Sequence, residues 1–427
     1  MKSVTITPSK LNGSVMLPPS KSLLHRAIIC AALSDGISEI DNVEISEDIS
    51  VTIKAMEALG ADIKLNGKKL TVHGGNTLKT DSPTTIDCGE SGSTLRFLIP
   101  LALHCNSKIT FTGKGRLPDR PLSSFYTLFD RREIPYKTTE GKLPLTIEKG
   151  DVSGSIEIEG DISSQFISGL LFALPFYNSD SEIKVTTPLE SKSYVDMTID
   201  VMRKFGVEVS HNNYHTFKVH GGQRYKSANY TVEGDYSQAA FFLAAGALGS
   251  FVVCKGLNPD SLQGDKHIIS ILKRMGISVV VEGDGIAAVP SKLRGCEVDA
   301  AQIPDLVPII AVLGALADGE TVIKNAQRLR IKESDRLTAI AQQLNTLGAT
   351  VIEKNDGLVI EGINMLSGGT VSSEKDHRIA MSIAIASTCC NEEIVLSDSD
   401  CVKKSYPDFW RDFSELGGKI DEWNMGE

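Results

Sequence analysis

The stretch PPSKSLLHRAIICAALSDG, residues 18–36, has the sequence of a buried helix with a polar start. Two prolines precede it, and Ser20 or Ser22 is able to cap it. Lys21 and Arg26 add positive charge at the end of a helix where free backbone N–H groups already attract anions. Taken alone, the stretch fits an ordinary capped helix as well as a binding site for phosphate or carboxylate.

Five further helices rich in small apolar residues follow the same pattern. The six polar starts are Ser20, Ser91, Ser163, Asp235, Pro304 and Asp376. Successive starts lie 69 to 72 residues apart, a regularity that unrelated helices would not keep. Each helix is followed by a strand, usually an amphipathic helix ending in an apolar-Gly pair, and a hairpin. The period therefore predicts six βαβαββ repeats and an α/β fold.

The length of 427 residues exceeds what one hydrophobic core usually organises, so we expect two domains of three repeats each. The repeats place one domain at residues 20–231 and the other at residues 232–427. Residues 1–19 alternate like a strand pair and are expected to join the second domain. Parallel helices in each domain would present their N-terminal ends together, and two such faces across an interdomain cleft would attract a polyanion.

Composition narrows the function classes. The chain is 41% hydrophobic and 23% charged with a net charge of -10, which disfavours nucleic acid as a partner but is compatible with a small anionic ligand at local basic clusters. Eight scattered cysteines without a CxxC pair predict a reduced, cytoplasmic protein. The sequence has neither a signal peptide nor an apolar run of ~18 residues, so no membrane association is expected.

Two loops are too rich in charge for simple turns. Residues 113–122 contain three cations, and residues 328–337 interleave four cations with two acids. Isolated charge runs are usually solvated surface, but these two lie at comparable phases of the repeats. Both loops are therefore candidate parts of the site.

Nine short motifs are spread over nearly the whole chain. They are PSKSLLHRA at 19, SGSTLRF at 91, GRLPDRPL at 115, ISSQFISGLL at 162, SKSYVDMT at 191, PDLVP at 304, RIKESDRL at 330, DHRIAM at 376 and KSYPDFW at 404. Their order and spacing resemble the EPSP synthase family of enolpyruvyl transferases. The resemblance implies a two-domain inverse α/β barrel of six βαβαββ repeats with its active site in the interdomain cleft, and residues 1–19 resemble the family's segment that pairs with the second domain.

The resemblance also implies a reaction. The enolpyruvyl group of phosphoenolpyruvate is transferred to the 5-hydroxyl of shikimate 3-phosphate, and phosphate is released, on the route to chorismate and aromatic amino acids. This chemistry needs at least two proton-transfer groups and cations for two phosphates and two carboxylates, but no metal or other cofactor. Glyphosate, a herbicide that mimics phosphoenolpyruvate, would then be a ligand of the site, although sensitivity to it is not readable from the sequence.

The motif match assigns residues to each substrate. Those implied to bind phosphoenolpyruvate are Lys21, Gly92, Arg120, Gln165, Arg336, Arg378 and Lys404. Those implied to bind shikimate 3-phosphate are Lys21, Ser22, Arg26, Ser163, Ser164, Gln165, Ser191, Tyr194, Asp305 and Lys332. For proton transfer, the resemblance implies Asp305 as base toward the 5-hydroxyl, with Glu333 and Lys21 exchanging protons with the phosphoenolpyruvate moiety. Several charged groups in one site titrate together, so these roles are hypotheses.

Two positions depart from the family pattern, Glu90 and Arg328, and neither is included among the expected contacts. Three histidines in HNNYHTFKVH, residues 211–220, have spacing that could suggest a metal, but Asn-Asn between alternating residues favours an exposed hairpin. His25 and His104 have no carboxylate nearby in sequence and are expected to be structural.

Alternatives of other classes remain open at this point. UDP-N-acetylglucosamine enolpyruvyl transferases share the chemistry but usually carry a catalytic cysteine in the loop matching residues 113–122, which has none. RNA 3′-phosphate cyclase is built from related units but fits the net charge poorly. A noncatalytic anion-binding repeat protein would explain the period but not the convergence of acids with cations. We expect small-molecule substrates and a monomer.

Overall fold

The computed structural model describes residues 2–424 and divides them into two compact units. The middle unit is Lys21–Val232, and the terminal unit combines the described residues up to Ser20 with those from Glu233 on. Both boundaries lie one residue later than the repeats predict. Among the described residues, no helix is both long and apolar enough to span a bilayer.

The helices and strands follow the βαβαββ order. The terminal unit opens with β1 (Lys2–Thr7) and β2 (Asn12–Met16). The middle unit contains α1 (Lys21–Leu33), β3 (Ile37–Asp41), α2 (Glu47–Ala58), β4 (Asp62–Asn66), β5 (Lys69–His73), β6 (Thr84–Asp87), α3 (Gly92–Ala102), β7 (Ile109–Thr112), α4 (Ser123–Arg131), β8 (Tyr136–Thr139), β9 (Lys142–Ile147), β10 (Gly154–Ile158), α5 (Ser164–Ala173), β11 (Ser181–Val185), α6 (Lys192–Lys204), β12 (Val209–Asn212), β13 (Thr216–Val219) and β14 (Asn229–Thr231). The terminal unit continues with α7 (Tyr236–Ala247), β15 (Phe251–Lys255), α8 (Ile268–Arg274), β16 (Ser278–Glu282), β17 (Gly285–Val289), β18 (Glu297–Asp299), α9 (Val307–Ala315), β19 (Glu320–Lys324), α10 (Arg336–Thr346), β20 (Thr350–Lys354), β21 (Gly357–Glu361), β22 (Gly369–Ser372), α11 (His377–Ala386), β23 (Ile394–Ser397), α12 (Phe409–Glu415) and β24 (Lys419–Asn424).

Each repeat forms one four-stranded sheet, three sheets to a unit. In the sheet β6-β7-β9-β8, the first two strands are parallel and the other pairings are antiparallel. The parallel pair is joined through a helix, since parallel strands need a crossover connection, and the last two strands form a hairpin. The sheets β10-β11-β13-β12 and β18-β19-β21-β20 repeat this plan.

The other three sheets borrow a strand from a distant part of the chain. Strand β14 from the end of the middle unit pairs with β3, β2 pairs with β15, and β1 lies between β23 and β24. The N-terminal strands therefore do pair with the second set of repeats, as expected. They do not pair with each other, because each completes a different sheet of the terminal unit.

The first helix of each repeat is buried nearly all round. Helix α1 is buried from Leu23 to Leu33, and α9 is buried along its whole length. These helices have small or apolar residues on every face, so they occupy the core of a unit and not its surface. Helices α3 and α5 approach so closely that a β-carbon on Gly169 would lie 2.3 Å from the carbonyl oxygen of Arg96.

Four of these six helices begin with a polar side-chain cap, whereas α9 has no side-chain cap. In the middle unit the caps are the neutral hydroxyls of Ser91 and Ser163, whereas in the terminal unit they are the carboxylates of Asp235 and Asp376. Of the two residues that the sequence offers as caps of α1, Ser20 or Ser22, Ser20 does not cap the helix, because its hydroxyl is buried without a hydrogen-bond partner among the described residues. The two units thus place different chemistry at equivalent helix ends.

Candidate active site

In the middle unit, the starts of α3 and α5 are tied together by Gln165. Its Nε2 donates to Ser93 Oγ at 2.9 Å, and its Oε1 accepts from Arg96 Nη1 at 2.9 Å. Arg96 also donates from Nη2 to the carbonyl oxygen of Pro121 at 3.1 Å, which anchors the polar loop of residues 113–122 to α3. Both terminal nitrogens of the Arg96 guanidinium are therefore bonded to neutral acceptors.

Arg26 has a similar environment. Its Nε donates to Thr198 Oγ1 at 2.8 Å, its Nη1 to the carbonyl oxygen of Ser22 at 2.6 Å, and its Nη2 to that of Tyr194 at 2.8 Å. The guanidinium lies 5.0 Å from the ring centroid of Phe97, and the residue is only 2% exposed. Burial lowers the pKa of Arg26 to about 10, which leaves it cationic at neutral pH. The structure thus joins three of the expected residues, because Arg26 donates to the backbone carbonyl oxygens of Ser22 and Tyr194.

Lys21, the first residue of α1, is paired with a residue that the sequence did not single out. Its Nζ lies 2.7 Å from Asp48 Oδ2 near the start of α2, and the two side chains are 18% and 8% exposed. A carboxylate at this distance holds the ammonium group of Lys21 in a fixed position. Asp48 is thus a further candidate residue, although nothing in its sequence context marks it.

Gly92 and Arg120 lie against each other. A β-carbon on Gly92, the first residue of α3, would lie 2.7 Å from Arg120 Nη1. The absence of a side chain therefore lets the guanidinium approach the N-terminal end of α3, where unpaired N–H groups attract anions. Whether Gly92 also binds phosphoenolpyruvate, as the resemblance implies, stays a prediction.

The remaining expected residues of the middle unit lie at helix starts. Ser163 caps α5 by accepting from the Gln165 N–H, and Ser164 is the first residue of that helix. Ser191 precedes α6 with a left-handed φ of 56°, and its hydroxyl does not cap the helix. The α6 start therefore has a hydroxyl that is not used for local capping.

In the terminal unit, Arg336 is surrounded by acids. Its Nε donates to Asp376 Oδ2 at 2.7 Å, its Nη1 to Asp305 Oδ1 at 2.7 Å, and its Nη2 to Glu333 Oε2 at 2.9 Å. The side chain of Arg336 is 1% exposed and that of Asp376 is fully buried. Burial alone would lower the pKa of Arg336, but the three carboxylates raise it above its usual value. Arg336 is a fixed cation shared among three carboxylates.

Asp305 forms ion pairs with three cations. Besides Arg336, Arg378 Nη2 lies 3.3 Å from its Oδ2, and Lys332 Nζ lies 3.8 Å from its Oδ1. Burial raises the pKa of Asp305, but the cations Arg378, Lys332 and Arg336 together outweigh burial and hold it well below the usual value. Burial also lowers the pKa of Lys332 to about 8. The structure thus joins five of the expected residues in one connected network: Asp305, Lys332, Glu333, Arg336 and Arg378.

Lys404 is buried at the end of the 3-10 helix Ser399–Lys404, which packs against α11. It therefore reaches the same part of the terminal unit as Arg378, the second residue of α11. Asp376, which positions both Arg336 and the first turn of α11, was visible in the sequence as the acid of the DHRIAM motif. The pairing of Asp376 with Arg336 was missed, because the sequence indicates that Asp376 is a helix cap but not which distant residue it contacts.

The positions that depart from the family pattern have local explanations. Arg328 donates from Nη2 to the carbonyl oxygen of Ala301 at 2.9 Å. Glu90 lies beside the polar loop, since a β-carbon on Gly115 would lie 2.5 Å from its Oε1. The two departures therefore contact the segments that carry Asp305 and Arg120, respectively.

The histidines hold structural positions. His211 and His215 flank the turn of the β12–β13 hairpin and are exposed, as the sequence predicted. His25 is buried with Nδ1 2.7 Å from Thr52 Oγ1, and burial lowers its pKa to about 3. His104 lies 3.0 Å from the carbonyl oxygen of Ala173, and burial lowers its pKa to about 4. Both buried rings are therefore neutral at physiological pH.

Solved structures share this fold over nearly the entire chain. EPSP synthase from Acinetobacter baumannii superposes with a TM-score of 0.82 at 25% identity, covering 99% of this chain and 100% of that chain. The enolpyruvyl transferase NikO from Streptomyces tendae superposes with a TM-score of 0.77 at 20% identity, covering 99% of each chain. The architecture is thus one that enolpyruvyl transferases use, a two-domain inverse α/β fold.

Sequence comparison narrows this class. The family model described as EPSP synthase (3-phosphoshikimate 1-carboxyvinyltransferase) matches residues 6–413. The 3-phosphoshikimate 1-carboxyvinyltransferase of Clostridium kluyveri is 52% identical over 427 residues and covers 100% of both chains. That of Clostridium perfringens SM101 is 53% identical over 423 residues, covering 99% of this chain and 100% of its own. The chain belongs to the EPSP synthase family.

Proposed function

We propose that this protein transfers the enolpyruvyl group of phosphoenolpyruvate to the 5-hydroxyl of shikimate 3-phosphate and releases phosphate. The observation that carries the proposal is the full-length similarity to relatives that are named 3-phosphoshikimate 1-carboxyvinyltransferase, at 49 to 53% identity. The product would feed the synthesis of chorismate and the aromatic amino acids.

The reaction balances without a cofactor. In the addition step, the substrate oxygen bonds to C2 of phosphoenolpyruvate and C3 gains a proton. In the elimination step, the C2–O bond to phosphate breaks and C3 loses a proton, which restores the double bond. Each step needs one group that gives a proton and one that takes a proton, while cations stabilise the phosphate and carboxylate charges.

The middle unit supplies neutral donors and cations for binding. We assign Ser22, Arg26, Ser163, Ser164, Ser191 and Tyr194 to shikimate 3-phosphate, and Gln165 and Lys21 to both substrates. Two sets of hydrogen bonds support this assignment. Arg26 fixes the backbone of Ser22 and Tyr194, and Gln165 is fixed by Arg96 and Ser93. Such preorganised donors recognise an anion without rearranging. Gly92 and Arg120 would hold phosphoenolpyruvate at the start of α3.

The terminal unit supplies two of the three proposed proton-transfer groups, and the third, Lys21, lies in the middle unit. We assign Asp305 as the base toward the 5-hydroxyl, Lys332 as its neighbour on the substrate ring, and Glu333 with Lys21 as the groups that exchange protons with the phosphoenolpyruvate moiety. Arg336, Arg378 and Lys404 would hold phosphoenolpyruvate. Because Arg336 and Arg378 contact Asp305 directly, an anionic substrate that draws on their charge would weaken their hold on Asp305 and raise its basicity.

Phosphate release tests the proposed function. The expected result is release of inorganic phosphate from phosphoenolpyruvate only when shikimate 3-phosphate is also present, with 5-enolpyruvylshikimate 3-phosphate as the second product by mass. Release supported by UDP-N-acetylglucosamine in place of shikimate 3-phosphate would overturn it. Tight binding of both anions without turnover would indicate a noncatalytic anion-binding protein instead.

We further propose that the protein acts in the cytoplasm as a monomer. All eight cysteines are free thiols, which supports a reducing compartment. Light scattering of the purified protein would test the oligomeric state, and a mass twice that of one chain would contradict the monomer.

A further inference from the structure

Asp265 is a buried acid that none of the expected contacts includes. It lies in the 3-10 helix Gly264–His267, ahead of α8, and is 2% exposed. Ser237, in the first turn of α7, donates its hydroxyl to Asp265 Oδ2. The second oxygen, Oδ1, is buried with no hydrogen-bond partner among the described residues. An ionised carboxylate with one unsatisfied oxygen is costly to bury, so this acid calls for an explanation.

The surroundings of Asp265 connect it to the network around Arg336. Helix α7 packs against both the 3-10 helix that carries Asp265 and the 3-10 helix Pro304–Leu306 that carries Asp305. The charged groups that act on Asp265 are Asp305, Arg378 from the start of α11, and Asp235, the cap of α7. Two of these three, Asp305 and Arg378, belong to the proposed site.

The segment before Asp265 is rigidly attached to the start of α7. Gln263 accepts from the Tyr236 N–H through Oε1 at 3.0 Å and donates from Nε2 to the carbonyl oxygen of Gly234 at 2.9 Å. Its Nε2 also donates to Glu233 at 2.7 Å. Because the amide is buried and fully engaged, the carboxyl of Asp265 is held at one place relative to α7.

We propose that Asp265 is a positioning residue of the reaction, whose buried negative charge keeps Asp305 able to accept a proton from the substrate hydroxyl. The proposal rests on the proposed function. Three cations stabilise the ionised form of Asp305 and so weaken it as a base. A second carboxylate nearby disfavours that ionised form and competes for the charge of Arg378, so it restores basicity. Asp265 acts through charge and does not touch the substrate.

The protonation state of Asp265 then controls turnover. Burial, together with the negative charge of Asp305, raises the pKa of Asp265 to about 6, although Arg378 and the Ser237 hydroxyl act in the opposite direction. Above this pH Asp265 is ionised and supports Asp305. Below it Asp265 is neutral, the support is lost, and kcat falls.

The pH profile of kcat tests this role with Asp265→Asn, an isosteric neutral variant. The expected result is a kcat about tenfold below wild type at pH 7.5, the effect of shifting one pKa by about one unit. The wild-type decline near pH 6 should disappear, so that the two proteins converge near pH 5. A variant that keeps the wild-type profile, or that loses the same factor at every pH, would overturn the proposal.

A second variant keeps the test decisive if Asp265→Asn does not fold. Ser237→Ala removes the hydroxyl that stabilises ionised Asp265, so the midpoint of the acidic decline should move to higher pH by about one unit. An unmoved midpoint would count against the proposal. Asp196→Asn is the matched control, because Asp196 is a half-buried acid of the middle unit whose pKa burial also raises. It should leave the midpoint in place.

Failure of the inference and failure of the proposed function give different results. If wild type releases phosphate with both substrates and Asp265→Asn keeps its pH profile, the inference alone fails. If wild type shows no turnover with both substrates, the proposed function fails and the inference fails with it. The pH dependence of the melting temperature then still reports whether Asp265 is a buried titrating acid, since Asp265→Asn should gain stability relative to wild type between pH 4.5 and pH 7.

Discussion

Equivalent helix starts of the two units hold their arginines in opposite ways. In the middle unit, Arg26 and Arg96 donate to carbonyl, hydroxyl and amide oxygens, all of them neutral. In the terminal unit, Arg336 donates to three carboxylates, and Arg378 pairs with one of them. A neutral acceptor adds no negative charge next to a guanidinium, whereas a carboxylate offsets its positive charge.

The same backbone plan therefore holds its arginines in two chemical environments. A cation held by neutral acceptors suits the binding of an anionic substrate. Cations shared among carboxylates hold the pKa of Asp305 low and can be drawn away by an incoming anion, which suits proton transfer. The caps follow the same division, with serine hydroxyls in one unit and aspartates in the other. Variants that replace or remove these partners test whether the two units differ in this way.

The largest effect is expected for Arg336→Met. The change leaves three carboxylates around an apolar side chain, with Asp376 fully buried and Asp305 and Glu333 only 15% and 14% exposed. Removing one partner of a buried ion pair typically costs about 3–5 kcal/mol of folding free energy, and activity should be lost as well. Urea unfolding of the variant measures the loss.

Arg330→Met is the matched control for that experiment. Arg330 is bonded to the carboxylates of Asp335 and Glu353, but its side chain is 26% exposed. Pairs of this kind contribute about 0–1 kcal/mol, so the control should be nearly as stable as wild type. Equal losses in the two variants would show that burial of the network around Arg336 is not what matters.

The second prediction concerns Glu333→Gln. The amide retains an acceptor for Arg336 Nη2 but cannot exchange a proton at neutral pH. We expect kcat to fall by about 10²–10³-fold, within the range for removal of a general acid or base, with little change in KM for either substrate. Glu353→Gln, which alters an acid paired with exposed Arg330, should turn over normally. Near-wild-type turnover of Glu333→Gln would remove Glu333 from the chemistry.

The third prediction addresses the binding side. Arg26→Lys cannot keep three hydrogen bonds directed at Thr198, Ser22 and Tyr194, because an ammonium lacks the planar fork of a guanidinium. The loss of charge-assisted bonds of about 1.5–3 kcal/mol should raise KM for shikimate 3-phosphate by about 10- to 100-fold, with a smaller effect on kcat. Arg203→Lys, on the exposed side of α6, should leave KM unchanged. A fall in kcat alone would contradict the binding role.

The repeats made most of the fold predictable from sequence. A period of 69 to 72 residues, with helices of small apolar residues, was enough for six α/β units. The exchange of strands was not visible, because β14, β2 and β1 alternate like any other strand. A strand's pattern shows which face is buried but not which sheet it joins.

The site was predictable only where a motif carried it. Arg336, Glu333 and Asp305 lie in motifs and meet in the structure, although their roles are untested predictions. Asp48 and Asp265 gave no signal, because each becomes notable only through a partner that is distant in sequence: Lys21 is 27 residues from Asp48, and Ser237 is 28 residues from Asp265. An acid at an ordinary position in a turn or helix start has no local pattern that distinguishes it.

The smallest effect, and the one that most sharpens the comparison, concerns the buried histidine of the middle unit. Burial lowers the pKa of His25 to about 3, below the value near 6.5 of an unfolded chain. The unfolded state therefore binds a proton between pH 6.5 and 3 that the folded state rejects, so stability is lost as pH falls through this window. At pH 5 the loss relative to pH 7.5 should be about 2 kcal/mol, and His25→Asn should not show it.

Melting temperatures of wild type and His25→Asn at pH 5 and pH 7.5 measure this difference, with exposed His215→Asn as the control. The middle unit would then resist protonation of a base in its core, whereas in the terminal unit the buried acid Asp265 resists deprotonation. Acid should therefore destabilise the middle unit through protonation of His25. In the terminal unit it should lower kcat through protonation of Asp265. If His25→Asn lost as much stability as wild type between the two pH values, the loss of stability in acid would come from groups other than His25. The two units would then not differ in this respect.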